Sequence, residues 1–174
     1  MFIKGEKTGL RALEPKDTDI LYRWENDMQL WKAGETLIPL SRFSIEQFVA
    51  RAGRDIYEEK QLRLMIQTLY KYETVGAIDL FDFDPFHLRA GVGIMINKPH
   101  RGKGYAGEAL ELLIKYAFGT LQLHQLFCNI NEDNQESIHL FKNHSFQITG
   151  KREDWLWDGQ NWKAELFMQL INTK

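Results

Sequence analysis

Apolar residues follow two rhythms along this chain, and positions 89–119, RAGVGIMINKPHRGKGYAGEALELLIKYAFG, contain the switch between them. Val92, Ile94, Met95 and Ile96 give an apolar run suited to a buried strand, which Pro99 ends. Ala106, Leu110, Leu113, Ile114 and Ala117 then recur along one helical face, with Gly119 as the expected left-handed stop. The same patterns predict a short strand over 10–13 and a helix opened by Pro15 and capped by Asp17, with Ile20, Leu21 and Trp24 on one face. Residues 26–43 show no clear period, which predicts a loop or broken helix able to close over a site. Ser44-x-x-Gln47 reads as a capping box ahead of Ile45, Phe48, Val49 and Ala52. Strands follow over 63–69 and 74–81, with a turn at 82–88. A strand at 126–131 precedes a helix capped by Asp133-x-x-Glu136. Two long strands at 147–157 and 162–170 then flank the turn Asp158-Gly159. This order predicts a mixed α/β sheet flanked by helices, one domain over residues 1–174, and not a doubly wound fold.

The junction between the central strand and its helix carries the chemistry. The first N–H groups of a helix lack internal acceptors, and the helix dipole adds partial positive charge there. Glycines at 102 and 104 admit a ligand close to the backbone, while Arg101 and Lys103 add full charges. The segment therefore predicts a phosphate or pyrophosphate site. Gly102-x-Gly104-x-x-Gly107 also matches the dinucleotide fingerprint. However, residues 97–100, with a proline, separate it from its strand, and the chain before position 90 lacks repeated strand–helix units.

Arg101-x-x-Gly104-x-Ala106 resembles the acyl-CoA loop of the GCN5-related N-acetyltransferase (GNAT) superfamily. A second stretch, Asn131-x-x-Asn134-x-x-Ser137-Ile138 followed by Leu140, Phe141 and Phe146, resembles the branch containing ribosomal-protein and diamine or spermidine acetyltransferases. Val75-Gly76-Ala77-Ile78-Asp79-Leu80 and Ile138-His139-Leu140-Phe141-Lys142 are most similar to the polyamine enzymes. The resemblance spans residues 10–170. It implies an α/β fold with a splayed central sheet, acetyl-CoA as co-substrate, and acetyl transfer to a primary amine, favouring a small polyamine or diamine such as spermidine. N-terminal acetylation of a ribosomal protein, or a non-catalytic CoA-binding module, are the alternatives.

The resemblance also assigns expected roles. Backbone N–H groups of Arg101, Gly102, Lys103, Gly104, Tyr105 and Ala106 take the pyrophosphate. Ile94, Met95 and Ile96 pair with the pantetheine arm, and the Met95 N–H is expected to act as oxyanion donor. Asn134 matches an asparagine that touches the cofactor, or else is a plain helix cap. Asp79 is the lone charge among Val75, Ala77, Phe81 and Phe83 on one strand face. It is expected either to take the proton of the substrate ammonium or to be a structural Asp paired with an arginine. Glu35 is a candidate for gripping a second amine. Two departures stand out: Phe141 occupies the usual position of a tyrosine acid, and Ser145-Phe146 replaces the usual Gly-Phe.

Composition narrows the picture further. The 44% hydrophobic and 26% charged fractions are those of an ordinary globule, and a net charge of −2 argues against non-specific nucleic-acid binding. Cys128 is the single cysteine, so no internal disulfide forms and a reducing compartment is expected. The opening MFIKGEKTGL lacks the apolar core of a signal peptide, and no apolar run reaches about 18 residues, which predicts a cytoplasmic protein with no membrane partner. His139 and His144 lack metal-motif spacing, so no metal is expected. Trp155, Trp157 and Trp162 read as core or dimer-face residues, leaving a homo-oligomer open.

Overall fold

The computed structural model describes residues 3–28 and 38–173. Eight strands form one sheet: β1 (Ile3–Lys4), β2 (Thr8–Ala12), β3 (Leu62–Thr68), β4 (Thr74–Asp84), β5 (Arg89–Ile96), β6 (Gln125–Asn131), β7 (Gln147–Trp157) and β8 (Trp162–Ile171), in spatial order 1-2-3-4-5-6-8-7. Every neighbouring pair is antiparallel except β5–β6, which is parallel and is ladder-paired only from Arg89↔Gln125 to Gly91↔Phe127. Beyond Gly91 the two strands part. The predicted splay therefore lies at the middle of the sheet.

Alternation along the strands divides the core in two. Ile78, Leu80, Val92, Leu126, Cys128 and Ile130 face helices α4 (Tyr105–Gly119) and α5 (Gln135–Asn143), forming the larger cluster with Leu110, Leu113, Ile138 and Phe141. On the opposite face, Met65 and Ala77 pack beneath α1 (Thr18–Glu25) and α2 (Arg42–Arg51), through Leu21, Trp24, Ile45 and Val49. Each such fully buried side chain contributes about 1.5–3 kcal/mol of transfer free energy.

Several boundaries differ from the sequence reading, each for a local reason. Gly119 stays helical and Thr120 caps α4. Ser41, not Ser44, caps α2, its side chain accepting from the Ser44 N–H at 3.0 Å. Asn134, not Asp133, caps α5 by accepting from the Ser137 N–H at 3.1 Å. Asp17 makes no side-chain cap on α1; it accepts from the Glu14 N–H and is buried against Arg11. A four-residue helix α3 (Ile56–Glu59) and the short β1 lack the periodicity that would reveal them. Trp155, Trp157 and Trp162 are each 56% exposed near the β7–β8 turn, so they are not core.

Candidate active site

The anion loop has the expected shape. After β5 the chain makes a 3-10 turn over Lys98–His100, then reaches Gly102 (φ +72°) and Gly104 (φ +82°), both in the left-handed region that glycine enters without strain. Gly104 caps α4 with no side-chain acceptor. The Arg101 N–H donates to Lys98 O (3.2 Å), so it is occupied. Among the described residues the N–H groups of Gly102 to Ala106 find no acceptor in the protein, and four of these five residues border α4's positive end. The Arg101 side chain is not turned to the ligand side. Its Nε donates to Ile96 O at 3.0 Å and ties the loop to the end of β5. Lys103 and Tyr105 line a recess of about 510 Å³ beside Lys7 and Tyr70.

A clamp missed by sequence reading fixes this helix end. Glu108, one turn into α4, accepts from the N–H groups of Glu6 (2.5 Å), Lys7 (3.0 Å) and Thr8 (2.8 Å) and from the Thr8 hydroxyl (2.6 Å). Burial alone would raise its pKa; the Thr8 hydroxyl and the three N–H groups outweigh burial and hold it below the usual carboxylate range. A glutamate in a first helical turn looks like ordinary dipole compensation, so nothing in the sequence distinguished it.

The direction of the β5 backbone corrects one expectation. Asn97 N donates to Val75 O (2.9 Å), and the β4–β5 register runs without shift from Gly76↔Ile96 to Phe81↔Gly91. Polar groups alternate along a strand, so those of Met95, like those of Asn97, are directed at β4. Met95 is therefore not an oxyanion donor. The open side beyond Gly91 receives the N–H and C=O groups of Val92, Ile94 and Ile96. Of the three residues expected along the pantetheine arm, Ile94 and Ile96 are oriented for it. The Met95 side chain packs against the α1–α2 cluster.

Asp79 stands opposite Gly93 on β5 and directly opposite Arg63 on β3. Its two oxygens accept from Arg63 Nε (2.7 Å) and Nη2 (3.0 Å), while Arg63 Nη1 donates to Glu25 at the end of α1 (2.7 Å). This is the structural pairing named above as the alternative to a base. Burial opposes the charge on Arg63, but Asp79 and then Glu25 overcome it and raise the guanidinium pKa. Arg63 thus bridges two carboxylates, and each member keeps some exposure. The neighbouring β5 residues carry no side chain to block it: a Cβ on Gly91 would lie 2.3 Å from the Phe81 ring, and Gly93 leaves Asp79 uncovered. Glu35 lies outside the described residues.

The same face continues past the end of the β5–β6 pairing. Phe81, Phe127 and Phe167 form an aromatic row, with centroids 5.7 and 5.5 Å apart. The row leads into a recess of about 910 Å³ containing Gln125, Asn129 and Gln169. On the other face Phe141 is 3% exposed and meets Phe146 edge-on at 4.9 Å, so it is core. Burial pushes the Cys128 thiol up to about 12, which removes it as a nucleophile. Asn134 spends its side-chain oxygen on the α5 cap.

Known proteins share this fold. A spermidine N-acetyltransferase from Vibrio cholerae, solved with CoA and spermine, superposes with a TM-score of 0.87 at 20% identity, covering 96% of each chain. The protein named uncharacterized N-acetyltransferase p20 of Bacillus licheniformis is 29% identical over 151 residues, 86% of this chain and 84% of that one. Spermidine N(1)-acetyltransferase of Escherichia coli K12 is 25% identical over 147 residues, 82% of this chain and 74% of that one. The profile of the acetyltransferase (GNAT) domain matches residues 7–147. With its open amide loop and parted central strands, the chain belongs to the GNAT family of acetyl-CoA-dependent N-acetyltransferases.

Proposed function

We propose that this enzyme acetylates a primary amine of a small polyamine or diamine of the spermidine kind, in the cytoplasm. The observation that carries the reading is the Glu25–Arg63–Asp79 cluster: two partly exposed carboxylates sharing one guanidinium beside the side-chain-free stretch of β5, where a cationic amine would meet the thioester. Similarity to spermidine N-acetyltransferases supports the same substrate class.

The residue roles belong to this proposal. Amide groups of Gly102, Lys103, Gly104, Tyr105 and Ala106 hold the pyrophosphate, and the backbone groups of Ile94 with the Ile96 N–H hold the pantetheine arm. An N–H from Val92 or Ile94 faces the developing oxyanion. Asp79 binds and orients the ammonium. Both its oxygens are already engaged by Arg63, so the proton leaves through water. Acetyl-CoA mixed with spermidine should release CoA at a rate that saturates with amine. Tight CoA binding with no turnover on any amine would instead indicate a binding module, the reading suggested by Phe141.

One observation favours a second acceptor, the N-terminus of a peptide. The recess past Phe127 balances Lys60, Arg89 and Arg152 against Asp82 and Asp84 and offers three side-chain amides, a lining suited to peptide groups. An intact-mass shift on a peptide beginning with Ala or Ser, without turnover of spermidine, would establish it. A homo-oligomer is also proposed, with the exposed tryptophans near the β7–β8 turn as its contact; sedimentation tests that.

A further inference from the structure

Gly107 is a costly residue for a first helical turn, destabilising by roughly 0.5–1 kcal/mol against alanine, and no turn requires it. Steric room does not require it either, because its neighbours lie at ordinary van der Waals distances from where a Cβ would stand. The His144 ring, at the C-terminal end of α5, lies over it: a Cβ there would sit 3.5 Å from His144 Cε1 and 3.9 Å from Nε2. The other ring nitrogen is occupied, Nδ1 donating to Leu140 O at 2.8 Å. That bond fixes the neutral tautomer with its lone pair on Nε2, so protonation adds a donor at the Gly107 side. Gly107 follows directly on the open amides of the anion loop.

We propose that His144, protonated, is a pH-dependent contact to a phosphate of CoA at the rim of the α4 N-terminus. The inference rests on the acetyl-CoA reading of that loop. The groups around the ring fit a cation. The end of α5 presents the negative pole of its dipole. Glu111 on α4 is held below the usual range, chiefly by Lys115 and in smaller part by His144. Glu108, also on α4, is turned away to the β1–β2 turn, and Arg101 is held on Ile96 O. Lys103 remains as the loop's other cation. Histidine is the side chain whose ordinary titration falls between pH 5 and 8, so cofactor affinity acquires a dependence on pH that lysine would not give.

The test measures CoA and dephospho-CoA binding by calorimetry at pH 6 and pH 8, for wild type and H144Q. Wild type should gain about tenfold in affinity at pH 6 relative to H144Q, and the two should converge at pH 8. Loss of the gain with dephospho-CoA assigns the contact to the 3′-phosphate; its retention assigns the pyrophosphate. A second measurement needs no variant: the His144 Cε1–H resonance of wild type should titrate at higher pH with CoA bound than without. An unchanged titration, or equal affinities of wild type and H144Q at pH 6, overturns the proposal and leaves the loop assignment intact. Absence of CoA binding by wild type at either pH overturns the loop assignment itself.

Discussion

Two arginine–aspartate pairs occupy one face of neighbouring strands, Arg11–Asp17 from β2 and Arg63–Asp79 from β3 and β4. Both are forked, with contacts of 2.6 and 2.7 Å in the first and 2.7 and 3.0 Å in the second. Their surroundings differ. Arg11 also donates to Ala12 O and Thr74 Oγ1, Asp17 also accepts from the Glu14 N–H, and the two side chains are 9% and 5% exposed. That pair is neutral, sealed and almost fully bonded. The Arg63 pair is two to four times as exposed, shares its guanidinium with Glu25, and lies beside an open strand. A two-pronged pairing, end-on in the first case and side-on in the second, thus serves as framework where it is sealed and, under the proposed function, as a receptor for a cation where it is open.

The contrast can be broken first at its framework end. D17N strands a buried guanidinium and should cost about 3–5 kcal/mol in denaturant unfolding, with amine KM unchanged in the fraction that remains folded. D79N should raise amine KM or lower kcat/KM by about 10–100-fold, with the KM for acetyl-CoA nearly constant; equal losses for both substrates would make Asp79 framework too. E25Q, which removes one of the two carboxylates on Arg63 but leaves the fork intact, should raise amine KM by about tenfold or less. The smallest effect lies in acid. For Asp17, burial works against the charge, but the Arg11 hydrogen bond and the Glu14 N–H prevail and lower its folded pKa. Its stabilisation is therefore complete above the ordinary carboxylate value and disappears as pH falls through the lowered one. The stability gap between wild type and D17N should narrow below about pH 4.

Much of this was readable in the residues. Most of the element order and the anion loop follow from periodicity and glycine placement, which are local chain properties, whereas the parting of β5 from β6 was implied by the resemblance to the acetyltransferase superfamily. What stayed hidden depends on pairing across distance. Glu108 is joined to the β1–β2 turn across about a hundred residues, a contact that helical periodicity does not encode. Asp79 showed as a charge on an apolar face, yet only the β3–β4 register revealed Arg63 as its direct neighbour. The Met95 error came from parity: hydropathy shows which residues are apolar, whereas one fixed hydrogen bond, Asn97 to Val75, decides which amides face the gap.

Phe141, sealed into the core against Phe146, has no proton to give the departing sulphur. Turnover should then track the acidity of the departing thiol closely. A series of acetyl thioesters graded in that acidity should give a steep rise in rate, steeper than in a relative with tyrosine at this position, so the chain should suit activated acyl donors better than its cousins do.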